Sequence, residues 1–333
     1  MSVSWDIKPL SSSWSLNNSA DNTDISLDWG GASLTIEESK IITEGGTNTT
    51  VPTKVIFDLG EVSINGSMTK ISDSFWAGNA TADTDNIHFV FQEYARNIEF
   101  TLGKANYSSK TIIGNESENS VDAALTSHLS SMFVKTDFGE LSLKNIKTDM
   151  SVGNILVDLL ETQQKIGQLG WQALLNPNLE LAEEESKEAV SQLEEVMQQQ
   201  LKAGISININ ELSAENSGGS MNIDSVYVIP SDLDLNEETI QTVLSKAIKG
   251  ESNFSADYAF LTQFIKSAMS MQGQNLTRDQ VDQVLNAQLA QYVQMGLIKQ
   301  QDGNLHTRIT IENDVVTVNG VPITQISTAL AKK

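Results

Sequence analysis

The chain has 333 residues, 39% of them apolar, with 21 Lys and Arg against 43 Asp and Glu, a net charge of −22 and no cysteine. That balance repels phosphate backbones and anionic headgroups, and the lack of cysteine removes disulfides, thiol catalysis and thiolate metal sites. No apolar run is long enough for a membrane helix and Met1–Trp5 has no leader character, so a soluble chain is predicted, and its abrupt start in strand-like sequence leads us to expect an anchor or signal upstream of it.

Residues 1–115 read as β: short alternating runs broken by Gly45-Gly46, Asn65-Gly66 and Gly114-Asn115. An Asp-apolar-Gly signature recurs as Asp28-Trp29-Gly30, Asp58-Leu59-Gly60 and Asp137-Phe138-Gly139, with a weaker copy at Thr101-Leu102-Gly103. Apolar residues alternate before each glycine (Ile25, Leu27, Trp29; Val55, Phe57, Leu59; Ile98, Phe100, Leu102). They alternate again after it, one residue out of phase (Ala32, Leu34, Ile36; Val62, Ile64; Leu141, Leu143). Side-chain direction in a strand has period two, so such a slip would turn the second half to the wrong face. An extra residue at a bulge restores the facing, and glycine adopts its left-handed conformation most cheaply. The pattern predicts a curved, bulged antiparallel sheet over one apolar face; a series of hairpins would fit the same residues.

Residues 120–134 read as a helix, carried by Val121, Ala124, Leu125, Leu129, Met132 and Phe133. From about 150 the apolar period is 3.6. Ile155, Leu156, Leu159, Leu160 and Ile166 mark one helix, and Val190, Leu193, Met197 and Leu201 a second, beginning after Pro177 with glutamates at its start. A hairpin is expected over 204–229. Three more helical stripes follow: Ile240 to Ile248 with Asn236 as N-cap, Leu261 to Met269, and Val281 to Val293 opened by a capping box at Thr277-Arg278-Asp279-Gln280. Two strands close the chain. The expected fold is α+β, a repeated β-sheet half with one helix over 1–150 and a helix-rich half with a C-terminal hairpin over 151–333, the order of segments suggesting two similar α+β halves.

Chemistry is sparse. His88, His128 and His306 are isolated in sequence, and no hydrolase elbow, phosphate loop or dinucleotide fingerprint occurs. Asp232-Leu233-Asp234 begins like a calcium loop, but Glu237 stands where glycine is needed and Val243 where a bidentate glutamate belongs. The signature aspartates read as turn residues, because equivalent repeats space them apart rather than pairing them. Helix 279–296 and the hairpin after it imitate a winged helix, yet Asp279 and Asp282 exclude a nucleic-acid reader. No catalytic residue, metal ligand or cofactor is expected. What remains is apolar: aromatic residues concentrate in the β half, and Trp29, Phe57 and Phe100 are the candidate ligand-binding residues of a groove on the sheet.

The run Leu289-Ala290-Gln291-Tyr292-Val293-Gln294-Met295-Gly296-Leu297-Ile298, then Asp302-Gly303-Asn304 and the strand through Val318-Asn319-Gly320-Val321-Pro322-Ile323, resembles the end of the YdgA-like family of bacterial proteins. The resemblance extends over about 55–325. It implies a periplasmic protein held at the inner membrane by an N-terminal anchor that lies outside this chain, and it carries no catalytic motif. The expected function is non-enzymatic binding of a lipid-like or other apolar ligand, or of an envelope protein. A scaffold for a membrane complex is the alternative, and a carboxylate-dependent envelope hydrolase is third.

Overall fold

The computed structural model describes residues 1–324 apart from 18, 45–46, 73–74, 95, 115–118, 176–182, 232 and 234–246. One antiparallel sheet of 19 strands runs through it. The first ten strands come as five collinear pairs: β1 (Ser2–Ile7) with β2 (Leu10–Leu16), β3 (Asn22–Trp29) with β4 (Ala32–Glu44), β5 (Thr47–Leu59) with β6 (Val62–Lys70), β7 (Trp76–Thr84) with β8 (Ile87–Glu93), and β9 (Arg96–Leu102) with β10 (Ala105–Ile113). Each pair is one long strand with a two-residue break in its middle. β1 pairs with β4 while β2 pairs with β3, and the same hairpin logic carries the meander through β5–β8, β6–β7, β8–β9 and β7–β10. β11 (Ser120–Lys135) then spans the level of the break as one element, pairing with β10 in its first half and β9 in its last, with Ser130-Ser131 skipped between them.

The breaks fall level with one another. Ile7 faces Ala32 on one side of them and Leu10 faces Trp29 on the other; Leu59 faces Ile87 and Val62 faces Thr84; Leu102 faces Met132 and Ala105 faces Leu129. Two residues are skipped on both strands each time, so the register resumes in step. The breaks are tied in couples by backbone hydrogen bonds. Lys8 N–H reaches the Gly31 carbonyl at 3.0 Å and Gly30 N–H the Pro9 carbonyl at 3.1 Å, and Gly60-Glu61 and Gly103-Lys104 are bonded likewise to Asp85-Asn86 and Ser130-Ser131. A slip in one strand alone puts its neighbour out of phase unless a bulge absorbs it, as happens farther along the sheet where Lys144 faces Glu215 and Lys147 faces Ser213; over β1–β11 the strands carry the slip together instead. That shared slip is why the signature repeats. Its third strong copy serves otherwise: Asp137-Phe138-Gly139 is the turn between β11 and β12 (Glu140–Leu156), where Thr136 N–H meets the Gly139 carbonyl at 2.8 Å.

The sheet continues through β12, β13 (Ile205–Asn216), β14 (Gly219–Ile229), β15 (Lys249–Asp257) and β17 (Asn304–Glu312), with short β16 (Lys299–Gln301), β18 (Val315–Val318) and β19 (Val321–Pro322) at its far end. Four helices are present among the described residues: α1 (Val157–Leu175), α2 (Glu183–Ala203), α3 (Tyr258–Met271) and α4 (Arg278–Gln294). α1 packs on α2, whereas α3 lies across β12–β15 and supports α4. The core sits there, with Ala256, Phe260, Val281, Leu285 and Leu305 buried. The expected capping box is formed: the Thr277 hydroxyl accepts from Gln280 N–H, and the Gln280 side chain accepts from Thr277 N–H at 2.8 Å.

These findings overturn the α+β expectation. The molecule is dominated by a single sheet, and packed helices are confined to one end of it; two similar α+β halves do not occur, because β12 carries the sheet across residue 150. The helix expected over 120–134 is strand β11. Val121, Ala123, Leu125 and Leu129 share one face of that strand, and the slip at Ser130-Ser131 brings in Met132 three residues later, a spacing that mimics a helical turn. The stripe from Ile240 to Ile248 with its Asn236 cap, and the failed calcium loop, lie mostly outside the described residues.

Candidate functional site: an open apolar face

Paired residues on neighbouring strands point to the same side of a sheet, so the registers trace rows across it. One row runs Trp5–Leu34–Phe57–Phe89–Phe100–Val134, through β1, β4, β5, β8, β9 and β11. Two residues along, Val3–Ile36–Val55–Phe91–Ile98 lies on one side and Ile7–Ala32–Leu59–Ile87–Leu102–Met132 on the other. Across the breaks the rows resume with Leu10–Trp29–Val62 and with Leu27–Ile64–Ala82–Tyr107. The extra residue at each slip returns the alternation to the same face, so all these side chains form one apolar surface.

Towards β12–β15 this surface is closed. The row Ala214–Met221–Ala256–Leu305 passes under α3, and Ala214, Ala256 and Leu305 are buried there, beside Phe260, whose ring stacks on Phe264 at 6.3 Å. The described helices make their main packing on β12–β15 rather than over β1–β10, with α1 reaching the β6–β7 turn, where the Ser72 hydroxyl donates to Glu161. Phe57 is 37% exposed in the middle of its row, and Trp5 and Trp14 on the edge strand are 71% and 68% exposed. The whole chain exposes 20493 Å², against about 13,400 Å² expected for a compact protein of 36.3 kDa.

All three residues singled out from the sequence lie on this face. Phe57 and Phe100 belong to one row with Phe89 between them, which separates their strands by roughly 10 Å. Trp29 stands beyond the break, half-buried, its indole N–H donating to the Lys8 carbonyl at 3.2 Å. It therefore also ties two breaks together. Leu34, Phe89 and Val134 complete the central row, and Trp5 and Trp14 extend the face to the edge. Their alternation is legible in sequence; which strands stand side by side is not.

The opposite face is mostly polar, with Ile56, Val90 and Phe133 among its apolar members, and is laced by short side-chain bonds. Ser63 donates to Asp28 at 2.7 Å, and Ser26 donates to Asn65 at 2.9 Å. His88 lies between two carboxylates, Nδ1 3.4 Å from Asp58 and Nε2 3.6 Å from Glu99. Asp137 accepts the backbone N–H of Asn97 at 2.7 Å. Each signature aspartate thus has its own local partner. Among the described residues, no group of three or more His, Asp or Glu is arranged to hold a metal, and no helix is long and apolar enough to cross a membrane.

Neither a curated protein nor a solved structure matches the chain. A family model described as "Bacterial protein of unknown function (DUF945)" matches residues 1–325. With nearly its full length covered by that model, the chain belongs to the DUF945 family of bacterial proteins of unknown function.

Proposed function

We propose that this protein is a non-enzymatic binding protein of the bacterial cell envelope, a YdgA-like periplasmic protein that holds a lipid-like ligand against the open apolar face of its sheet. The observation that carries the reading is the uncovered set of cross-strand rows through Phe57, Phe89 and Phe100, on a chain whose surface far exceeds that of a compact protein. Apolar area left in water is costly at about 25 cal/mol per Å², and contiguous exposed patches mark binding surfaces. The face is wide enough for acyl chains. Six strands at ~4.8 Å spacing span about 24 Å, compared with roughly 15 Å of hydrocarbon per membrane leaflet. The mostly polar face opposite keeps the loaded sheet hydrated, and the net charge of −22 favours contact through the acyl chains rather than an anionic headgroup.

The test is an organic extract of gently purified protein, expressed behind a membrane anchor in a Gram-negative host and examined by mass spectrometry. Stoichiometric phospholipid is expected, lost in Phe57→Asp and Trp29→Asp variants that keep the wild-type circular dichroism. A folded protein with an empty extract would overturn the ligand reading. The same face would then be assigned to an envelope protein partner, found by crosslinking, and the molecule to scaffolding.

A further inference from the structure

We propose that the lipid on the open face is a zwitterionic phospholipid with a primary ammonium headgroup, of the phosphatidylethanolamine kind. Its headgroup sits at the end of the face where Glu38, Thr53, Glu93 and Arg96 form one cross-strand row. This rests on the ligand reading above and names the ligand. From the break outward, the apolar side of β4, β5, β8 and β9 carries three rows without a charge, the last being Ile36–Val55–Phe91–Ile98. The next row is Glu38–Thr53–Glu93–Arg96, with Lys40 opposite Val51 behind it, so two cations and two carboxylates gather at one end. From Thr53 to Leu59, at the break, the strand is about 20 Å long. An acyl chain of one leaflet's depth, roughly 15 Å, therefore lies across the Phe57–Phe89–Phe100 row when its headgroup is at Thr53.

The charges at this end are arranged to exchange partners. Lys40 and Glu93 belong to the strands on either side of β5, and their ion pair at 3.4 Å arches over it on the apolar side. Val51 is 4% exposed there, and the Thr53 hydroxyl is buried with no hydrogen-bond partner. Arg96 and Glu38 form no ion pair among the described residues. A half-exposed pair such as Lys40–Glu93 contributes little, so a ligand that offers both charges replaces it. The phosphate goes to Lys40 and Arg96, with the uncovered Thr53 hydroxyl donating to it, and the ammonium goes to Glu93 and Glu38. An anionic headgroup would leave both carboxylates unanswered on a chain of net charge −22. A quaternary ammonium is read by the faces of aromatic rings, which this row lacks, whereas a primary ammonium donates hydrogen bonds to both carboxylates. Glu38, Thr53, Glu93 and Arg96 also line one cavity of about 900 Å³, together with residues of the polar face such as Lys54 and Asn97.

Lipid uptake from mixed vesicles tests it. The intact chain is incubated with vesicles of equal parts dioleoyl phosphatidylethanolamine, phosphatidylcholine and phosphatidylglycerol, separated from them by centrifugation, and its bound lipid identified by mass spectrometry. Phosphatidylethanolamine is expected roughly tenfold over phosphatidylcholine, about what one hydrogen bond to a charged group supplies. Both lipids are zwitterionic, so the net charge of the chain does not separate them. Glu38→Gln with Glu93→Gln, isosteric changes at half-exposed positions, is expected to keep the amount of bound lipid and abolish that preference. With Lys40 released from Glu93, the same variant should also admit phosphatidylglycerol. Bound lipid in the proportions of the vesicle, or a double variant with the wild-type preference, would overturn the headgroup site and leave the ligand reading standing. A folded chain that takes up no lipid would overturn both.

Discussion

Gly31 lies with its backbone against the carbonyl of Leu59: a Cβ built on it would come within 2.2 Å of that oxygen, and its φ is +94°. This is the place where the break of β3–β4 passes that of β5–β6. Gly31→Ala is expected to cost about 1–3 kcal/mol, from left-handed strain and a backbone clash together. Gly66→Ala, in the interior of β6 where a Cβ would first meet an atom at 3.5 Å, is expected to be neutral within about 0.5 kcal/mol. Urea unfolding followed by tryptophan fluorescence compares the two, and equal costs would show that the break row is not a point of strain.

The two ends of the sheet should respond differently to truncation. Leu305 is 1% exposed beneath α3, so Leu305→Ala is expected to cost about 2–5 kcal/mol. Phe57→Ala removes a larger side chain but one already partly in water, and it should cost less than Leu305→Ala. Thermal unfolding of both variants checks the order.

Gln200 is a buried polar hub between α2 and β12. Its amide donates to the carbonyls of Asn154 and Gly204, each at 2.8 Å, and its oxygen accepts Leu156 N–H at 2.8 Å. Gln200→Leu leaves that N–H without its acceptor and is expected to cost about 1–3 kcal/mol. Gln200→Glu keeps the acceptor but loses both donors and buries a carboxyl, so its stability should recover towards acid as the carboxyl is protonated. Chemical denaturation at two pH values separates the variants.

Glu211 is held below its ordinary value of 4.5, first by the Ser213 hydroxyl that donates to it at 2.7 Å and then, against a smaller opposing effect of burial, by Lys147 at 3.5 Å. A carboxyl depressed in the folded state contributes stability that is present above its unfolded value and is lost as pH falls through the folded one. Ser213→Ala is therefore expected to move the Glu211 titration upward and to reduce the acid sensitivity of stability below pH 4.5. Carboxyl-resolved NMR titration reads the shift directly; an unmoved midpoint would assign the effect to Lys147.

Local periodicity by itself determined a good deal. The phase slip at Gly30 and Gly60, the apolar alternation on either side, the 204–229 hairpin and the Thr277 capping box depend on neighbours in sequence and stand in the structure where the residues put them. Three other breaks, Lys8-Pro9, Asp85-Asn86 and Ser130-Ser131, carry no glycine and gave no signal. One of them disguised β11 as a helix. Tertiary structure decided what spacing along a chain cannot contain: which strands lie side by side, and therefore that Phe57, Phe89 and Phe100 form one row. It also decided that helices cover only one end of the sheet. Cross-strand order comes from long-range pairing and burial, whose energies depend on the partner strand rather than on the residue's own neighbours. The open face is a consequence of that order, and so was invisible until the strands were laid next to one another.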